Sequence, residues 1–316
     1  MTWVIVSLCA YFLFSVSSVL DKLLLKKRIP NPSTYAFYIA LFGLGAFIVI
    51  PFQKIFPGVL DSHFELIGTG QLLLSLVSGI FFVYALFFLF SAVKRSEVSR
   101  AASLVLVFIQ VFSFLILLLF NPGDFDLIKA TGFFLLLVGG LFISFDLPIK
   151  SLKIFSGFKS AFLSGMFFAV AYSLFGDIYG NVGFVSGFIW TRVGIFLAGL
   201  SLFLFSGFRR EIVDSVNVKK DRSESVQSHW FTVFVFLLNK LSSSVGSILM
   251  NYAFVLGSVA YVQAIGSAQF VFILLLASIA SIRRPDIFEE KMYFWDWLQK
   301  IVSILIIACG VILISI

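Results

Sequence analysis

The sequence predicts an all-α integral membrane protein whose ten transmembrane helices form two inverted five-helix repeats. Three observations lead to this fold class. Of the 316 residues, 60% are hydrophobic and 12% charged, against roughly 25% charged residues in soluble domains. The apolar residues form ten runs near the roughly 20 residues that a membrane helix needs. Basic residues cluster in alternate connections between the runs. This composition excludes a soluble enzyme domain, a nucleic-acid-binding protein and a disordered chain.

The apolar runs are separated by glycine, proline and charged residues, which set the bounds of the expected helices. In the first half they are Trp3–Leu20, Thr34–Phe52, Leu66–Ser91, Val98–Phe120 and Ile128–Phe145. In the second half they are Lys159–Tyr179, Gly183–Ser206, Trp230–Leu256, Val259–Ser281 and Trp295–Ile316. All seven prolines lie in connections or at the ends of runs, so we expect continuous helices.

The distribution of basic residues predicts an orientation in the membrane. Of the 23 lysines and arginines, 18 lie in the odd-numbered connections or in the first residues of the span that follows one, and only 2 lie in or next to the even-numbered ones. Cytoplasmic connections carry the excess of basic residues, so the odd connections should face the cytoplasm and both termini the outside. The same rule accounts for the net charge of +7. The longest polar stretch, Gly207–His229, is expected to be a solvated connector.

The two halves of the chain are expected to be repeats. Because each half, 1–150 and 151–316, has five spans, the second half must enter the membrane in the opposite orientation. A short motif also recurs, since Ser17–Asp21 and Ser173–Asp177 both have Ser-x-x-x-Asp at an offset of 156 residues. The aspartates of this motif, Asp21 and Asp177, should therefore occupy equivalent places in the two repeats.

Three short motifs resemble a known family over essentially the whole chain. The leucine-rich, basic exit at Val19–Lys26, the arginine-containing Phe188–Val193 and the turn at Leu256–Ala260 are similar to motifs of EamA-like members of the drug/metabolite transporter superfamily. The resemblance implies a bundle that moves small metabolites, often outward, through a central cavity with alternating access. It also implies termini in the cytoplasm, the opposite of the prediction from charge.

Charged side chains inside the membrane mark a candidate site. Only Arg192 and Lys240 lie near the middle of an expected span, where an ionised group costs at least about 2.5–3.5 kcal/mol unless it meets water or a partner. Residues that follow Lys240 at helical spacing give one polar face, which either lines a cavity or contacts another helix. The candidate substrate-binding residues are Arg192, Lys240, Ser244, Ser247, Asn251, Tyr172, Gln110 and Gln269. Packing is the alternative role of Tyr172.

The chemistry of this site points to an anionic ligand. The carboxylates closest to the expected interior, Asp21, Asp146 and Asp177, lie near span ends, so a substrate carboxylate or phosphate would balance the two deep cations. The alternative is structural, with Arg192 bonded to backbone carbonyls. Asp21 and Asp177 are candidates for proton coupling, although an aspartate at a membrane edge also serves as a solvated cap.

A gradient-driven secondary transporter, with efflux as the expected direction, is the leading functional hypothesis, because the sequence has no P-loop for ATP. An enzyme is disfavoured, since the two histidines, His63 and His229, lie in connections. A lipid or lipid-headgroup flippase is the alternative. Cys9 and Cys309 lie in apolar runs, so we expect no disulfide framework and no cysteine metal cluster. No other metal and no cofactor is expected. The expected partners are a small-molecule substrate and the lipid bilayer, the expected location is a bacterial plasma membrane, and a homodimer stays open.

Overall fold

The computed structural model is helical, and no strand occurs among the residues that it describes. The described residues are 2–25, 31–48, 51, 64–95, 98–120, 126–144, 157–217, 226–283 and 294–315. The helical part of the predicted fold class is thus confirmed over this part of the chain.

Twelve α-helices follow one another along the described chain. Those of the first half are α1 (Thr2–Leu25), α2 (Pro32–Phe42), α3 (Thr69–Arg95), α4 (Val98–Phe120) and α5 (Leu127–Ser144). Those of the second half are α6 (Phe158–Val182), α7 (Phe184–Ser201), α8 (Ser206–Asn217), α9 (Val226–Leu256), α10 (Val259–Ala264), α11 (Ala268–Arg283) and α12 (Phe294–Ser315).

Several of these helices are suited to a bilayer. The four helices α1, α3, α6 and α7 contain segments long and apolar enough to cross a membrane. Shorter apolar segments lie in α2, α4, α5, α12 and the α10–α11 pair. Large apolar side chains point outward from the bundle, among them Leu73, Leu119 and Leu241, each more than half exposed. Such surfaces favour lipid over water, which fits a multi-pass membrane protein.

Local sequence explains where some helices begin and end. Pro32 occupies the first turn of α2, where its missing N–H would have had no intrahelical partner. Gly183 separates α6 from α7 with φ 78° and ψ 162°, a conformation that side chains with a Cβ rarely adopt. The predicted boundary between the sixth and seventh spans therefore lies at a residue whose conformation requires glycine.

Three of the expected spans are not uniform α-helices. A 3-10 segment at Gly43–Ile48 continues α2, one at Leu202–Leu204 follows α7, and another at Ile265–Ser267 joins α10 to α11. At the last of these, a Cβ on Gly266 would lie 3.2 Å from the ring of Tyr11, so α1 packs directly against the tightened turn. Tertiary contacts, and no proline, therefore accompany this departure from the expected continuous helix.

Helix packing places the second half against the first. Helix α1 packs on α9 and α11, α3 on α6 and α7, α4 on α6, and α5 on α12. At the α3–α7 crossing the two helix backbones approach closely, with a glycine on each side. A Cβ on Gly79 would lie 2.3 Å from the carbonyl carbon of Gly194, and a Cβ on Gly194 would lie 2.0 Å from the Ser75 oxygen.

The polar stretch after α7 is partly helical, which corrects the prediction of a solvated connector over Gly207–His229. Helix α8 covers its first part and α9 already begins at Val226. Ile212 of α8 is almost fully buried, and the carboxylate of Glu211 accepts a hydrogen bond from the Ser33 hydroxyl at the start of α2. The connector therefore begins with an amphipathic helix that docks on the bundle. Residues 218–225 lie outside the described part.

Candidate functional site

Arg192 lies on α7 inside the bundle, with only 7% of its surface exposed. Its guanidinium carbon lies 4.7 Å from the ring centre of Phe188 and 5.9 Å from those of Phe82 and Phe175. Residues of α3, α6 and α7 thus surround the cation with aromatic faces, which attract it through their quadrupoles. The predicted site residue is therefore buried among rings and does not point to lipid.

A chain of hydrogen bonds connects Arg192 to two other helices. Its Nη2 donates to the Ser247 hydroxyl of α9 at 3.0 Å, and Asn251 donates from Nδ2 to the Ser247 carbonyl at 2.6 Å. The Asn251 Oδ1 accepts a 2.8 Å hydrogen bond from the Tyr179 hydroxyl of α6. That hydroxyl also lies 3.3 Å from the hydroxyl of Thr191. The network fixes the relative positions of α6, α7 and α9 around the cation.

No carboxylate of the described part of the chain forms an ion pair with Arg192. A guanidinium has five N–H donors, and Ser247 is the one oxygen acceptor recorded for it among the described residues. Aromatic faces provide attraction but no acceptor lone pair directed at these N–H groups. A small anion would supply both the charge and the oxygen acceptors that the protein side chains here do not.

Tyr172 extends this site along α6. Its ring stacks on Phe168 at a centroid distance of 5.5 Å, and it lies 6.2 and 6.1 Å from the rings of Phe82 and Phe175, two of the rings that surround Arg192. The structure therefore brings four of the sequence-predicted residues into one region. These residues are Arg192, Ser247, Asn251 and Tyr172. We call them, together with Tyr179 and Thr191, the arginine site.

Lys240 lies elsewhere on α9. Its Nζ donates to the Tyr35 hydroxyl of α2 at 3.3 Å and lies 5.3 Å from the centre of that ring. Ser247 follows Lys240 by seven positions on α9, which corresponds to about 10.5 Å along a helix. Arg192 and Lys240, which were predicted to share one site, therefore contact different partners. On α9, Lys240 lies two helical turns from Ser247, the partner of Arg192.

The two predicted glutamines lie in another polar group where α1 and α4 meet the α10–α11 break. Gln110 donates from Nε2 to the Ser267 hydroxyl at 2.8 Å and lies 3.4 and 3.3 Å from the carbonyl oxygens of Gln263 and Ala264. The Gln269 carbonyl accepts a 3.1 Å hydrogen bond from Ser15 of α1. Gln110 thus binds carbonyls exposed by the change from α-helix to 3-10 helix.

The remaining predicted residues do not join these groups. Ser244 is exposed on α9, and Asp177 is exposed near the end of α6, where its carbonyl accepts a hydrogen bond from Asn181. The side chain of Asp21 lies outside the described residues. Tyr179 and Thr191 were not predicted. Thr191 could have been predicted, because it is a polar residue next to the arginine in the sequence. Tyr179 gave no such signal, because it is one of many aromatic residues in the apolar runs.

The described residues hold no group of three or more His, Cys, Asp or Glu side chains that could bind a metal ion. Cys9 and Cys309 are free thiols on the exposed surface. An apolar groove of about 320 Å³ lies between α11 and α12. Its lining residues are Ala268, Val271, Phe272, Ile304, Ile307, Ala308, Val311 and Ile312.

No family model matches the sequence, and no curated protein matches it. Chains of solved structures do match the fold. A crystal structure of one protein superposes on this chain with a TM-score of 0.66 at 15% sequence identity. The alignment covers 99% of this chain and 96% of that chain. At this identity the likeness shows a shared fold alone, and it shows it over essentially the entire chain.

Proposed function

We propose that the protein is a secondary-active transporter that moves a small metabolite with an anionic group, outward across the membrane, and that Arg192 binds this group. One observation carries the proposal. Arg192 is a buried cation without a carboxylate partner among the described residues, in a helical bundle that exposes many large apolar side chains. An uncompensated charge at such a place is costly, and intramembrane charges usually mark a substrate pathway. A bound carboxylate, sulfonate or phosphate would offset the cost.

We further propose that the chain has ten spans in two inverted five-helix repeats, as in EamA-like transporters. In this arrangement α1–α5 correspond in order to α6, α7, α9, α10–α11 and α12. The packing supports the correspondence, because α1 packs on α9 as α3 packs on α6, and α4 packs on α6 as α11 packs on α1. The α5–α12 pair would then lie on the pseudo-twofold axis. Such symmetry is the usual basis of alternating access.

In this scheme the repeats would rock about the arginine site, and the gradient of a coupling ion would drive transport. Asp21 and Asp177, near the ends of the first helices of the two repeats, remain the proposed proton-coupling residues. The charge asymmetry of the connections remains the basis for proposing that both termini face the outside.

Transport by purified protein in proteoliposomes tests the proposal. We expect uptake of small anions by wild type, and a loss of at least about tenfold in Arg192→Gln, because a hydrogen bond to a charged group contributes about 1.5–3 kcal/mol. Arg192→Lys should keep part of the activity, since a point charge remains without the planar fork. Arg209→Gln is the matched control, because Arg209 is exposed on α8.

Thermal stability separates the transport role from a structural one. Removing an uncompensated buried charge should leave the melting temperature of Arg192→Gln in detergent unchanged or higher. A structural arginine would instead give a lower melting temperature together with the lost activity. That second pattern, or unchanged transport in Arg192→Gln, would contradict the proposal.

The groove between α11 and α12 favours a second candidate, a lipid or lipid-headgroup flippase. Its lining is apolar, and Ala268 at its edge follows Ser267, the acceptor of Gln110. An acyl chain could occupy such a groove while a headgroup reaches the polar interior. Fluorescent phospholipid scrambling or flipping in the same proteoliposomes, reduced by Ala268→Trp and not by Arg192→Gln, would favour the flippase over the metabolite transporter.

A further inference from the structure

Three buried polar atoms near the α10–α11 break have no hydrogen-bond partner among the residues that the structure describes. They are Oε1 of Gln110, Oγ of Ser113 and Nε2 of Gln263. The three residues are 1%, 2% and 2% exposed, so bulk water does not reach them. Buried polar groups in proteins are almost always paired, and several unpaired ones in one place indicate an absent ligand or water.

The hydrogen bonds of the two glutamines fix which atoms are open. Gln110 must direct its Nε2 at the carbonyl oxygens of Gln263 and Ala264, because these oxygens only accept. The Gln263 Oε1 accepts from the Tyr11 hydroxyl at 3.2 Å, which gives this buried phenol its acceptor. The atoms left without a partner are therefore the acceptor Oε1 of Gln110, the donor Nε2 of Gln263 and the Ser113 hydroxyl, which can donate and accept.

This combination selects the chemistry of the ligand. A bare cation would be repelled by the N–H of Gln263, and a bare anion would be repelled by the side-chain carbonyl oxygen of Gln110. A hydroxyl or carboxamide group donates and accepts, so it can satisfy all three positions. The group also lies next to the helix of the arginine site, because α10, which carries Gln263, packs against α6, which carries Tyr172 and Tyr179.

We infer that Gln110, Ser113 and Gln263 form an uncharged subsite that binds a hydroxyl or carboxamide group of the substrate while its anionic group lies at Arg192. This inference rests on the proposed function. It narrows the substrate class to small organic anions that carry a neutral hydrogen-bonding group at a distance from the charge, such as hydroxy acids, amide acids and phosphate esters of polyols.

Matched pairs of anions test the inference. The probes are succinate and malate, ethanesulfonate and 2-hydroxyethanesulfonate, and propyl phosphate and glycerol 3-phosphate, in which only the second member of each pair carries added hydroxyl groups. Dissociation constants are measured by isothermal titration calorimetry on the full-length protein in detergent. We expect the hydroxylated member of at least one pair to bind about tenfold more tightly, because it pairs buried groups that its partner leaves unpaired.

Variants identify the residues responsible. Ser113→Ala removes a hydroxyl that has no partner in the described part of the chain. The variant should therefore fold normally and reduce the discrimination within the pair by several fold, with little change for the plain anion. Gln263→Met should reduce it further. Ser164→Ala is the matched control, since Ser164 is a buried serine whose hydroxyl donates to the Ala85 carbonyl at 2.9 Å.

Each outcome bears on the inference. Equal affinity within every pair in wild type, with binding still dependent on Arg192, would overturn the subsite and leave the proposed function intact. Discrimination that is unchanged in both Ser113→Ala and Gln263→Met would overturn it as well. Failure of all six anions to bind would remove the subsite together with anion transport. A high-resolution structure would also refute it if a hydroxylated anion is bound while ordered water, and not the anion, makes the hydrogen bonds to Gln110, Ser113 and Gln263.

Discussion

Replacement of Gly194 by alanine tests whether the α3–α7 contact holds the arginine site together. The added Cβ would lie 2.0 Å from the Ser75 oxygen of α3, where ordinary contact begins near 3.4 Å. The helices must therefore separate locally by roughly 1.4 Å, because the obstructing atom belongs to the backbone and has no rotamer to change. Overpacking of this kind costs about 1–3 kcal/mol. On the scale of soluble domains, the melting temperature should fall by roughly 2–10 °C.

The same displacement should reduce transport, because α3 carries Phe82, whose ring faces Arg192. A shift of about 1 Å at a binding site is enough to cost large factors in rate. Gly180→Ala in α6 is the control, since an added Cβ there meets no atom within 4 Å and alanine is the better helix former. Melting temperatures in detergent and anion flux in proteoliposomes are the measurements. Equal melting temperatures for the two variants would refute the packing argument.

Three further predictions concern the network, α8 and topology. Tyr179→Phe should lower the free energy of unfolding by about 1–2 kcal/mol, because it leaves the Asn251 oxygen unpaired. Tyr252→Phe should change it little, because the Tyr252 hydroxyl has no hydrogen-bond partner in the described part of the chain. Melting curves in detergent compare the two variants. Glu211→Ala should lower the melting temperature more than Arg210→Ala, because Glu211 binds Ser33 whereas Arg210 is highly exposed; equal effects would contradict the docking of α8. Alkaline phosphatase fused to the C-terminus should be active, and a bright green fluorescent protein there would instead favour cytoplasmic termini.

The helical fold could be predicted because its signal is compositional. An apolar run of membrane length leaves few alternatives to a helix, since the backbone must satisfy its own hydrogen bonds. The predicted helix boundaries lie close to the observed ones where Gly183 and Pro32 mark them. The 3-10 turn at Ile265–Ser267 gave no such signal, because it is accompanied by the packing of Tyr11 and the hydrogen bonds of Gln110, contacts distant in sequence.

The candidate site was predictable where a residue contrasts with its surroundings. Arg192, Ser247 and Asn251 interrupt apolar runs, and the structure brings them into one network. Tyr179 was missed because aromatic residues are common throughout this chain, which has 42 phenylalanines. Ser244 was grouped with Ser247 because side chains three positions apart on a helix point in directions only about 60° apart. The sequence alone therefore does not decide which of the two serines faces inward.

The position of a bound anion in a crystal would show whether Arg192 binds the anionic group. Crystals grown with 2-bromoethanesulfonate would locate the bromine by anomalous scattering and the sulfonate by its density. We expect sulfonate oxygens within about 3 Å of the Arg192 guanidinium, and no bound sulfonate at this place in Arg192→Gln crystals. A sulfonate bound elsewhere, with Arg192 still contacting only Ser247 and the rings of Phe82, Phe175 and Phe188, would contradict this expectation.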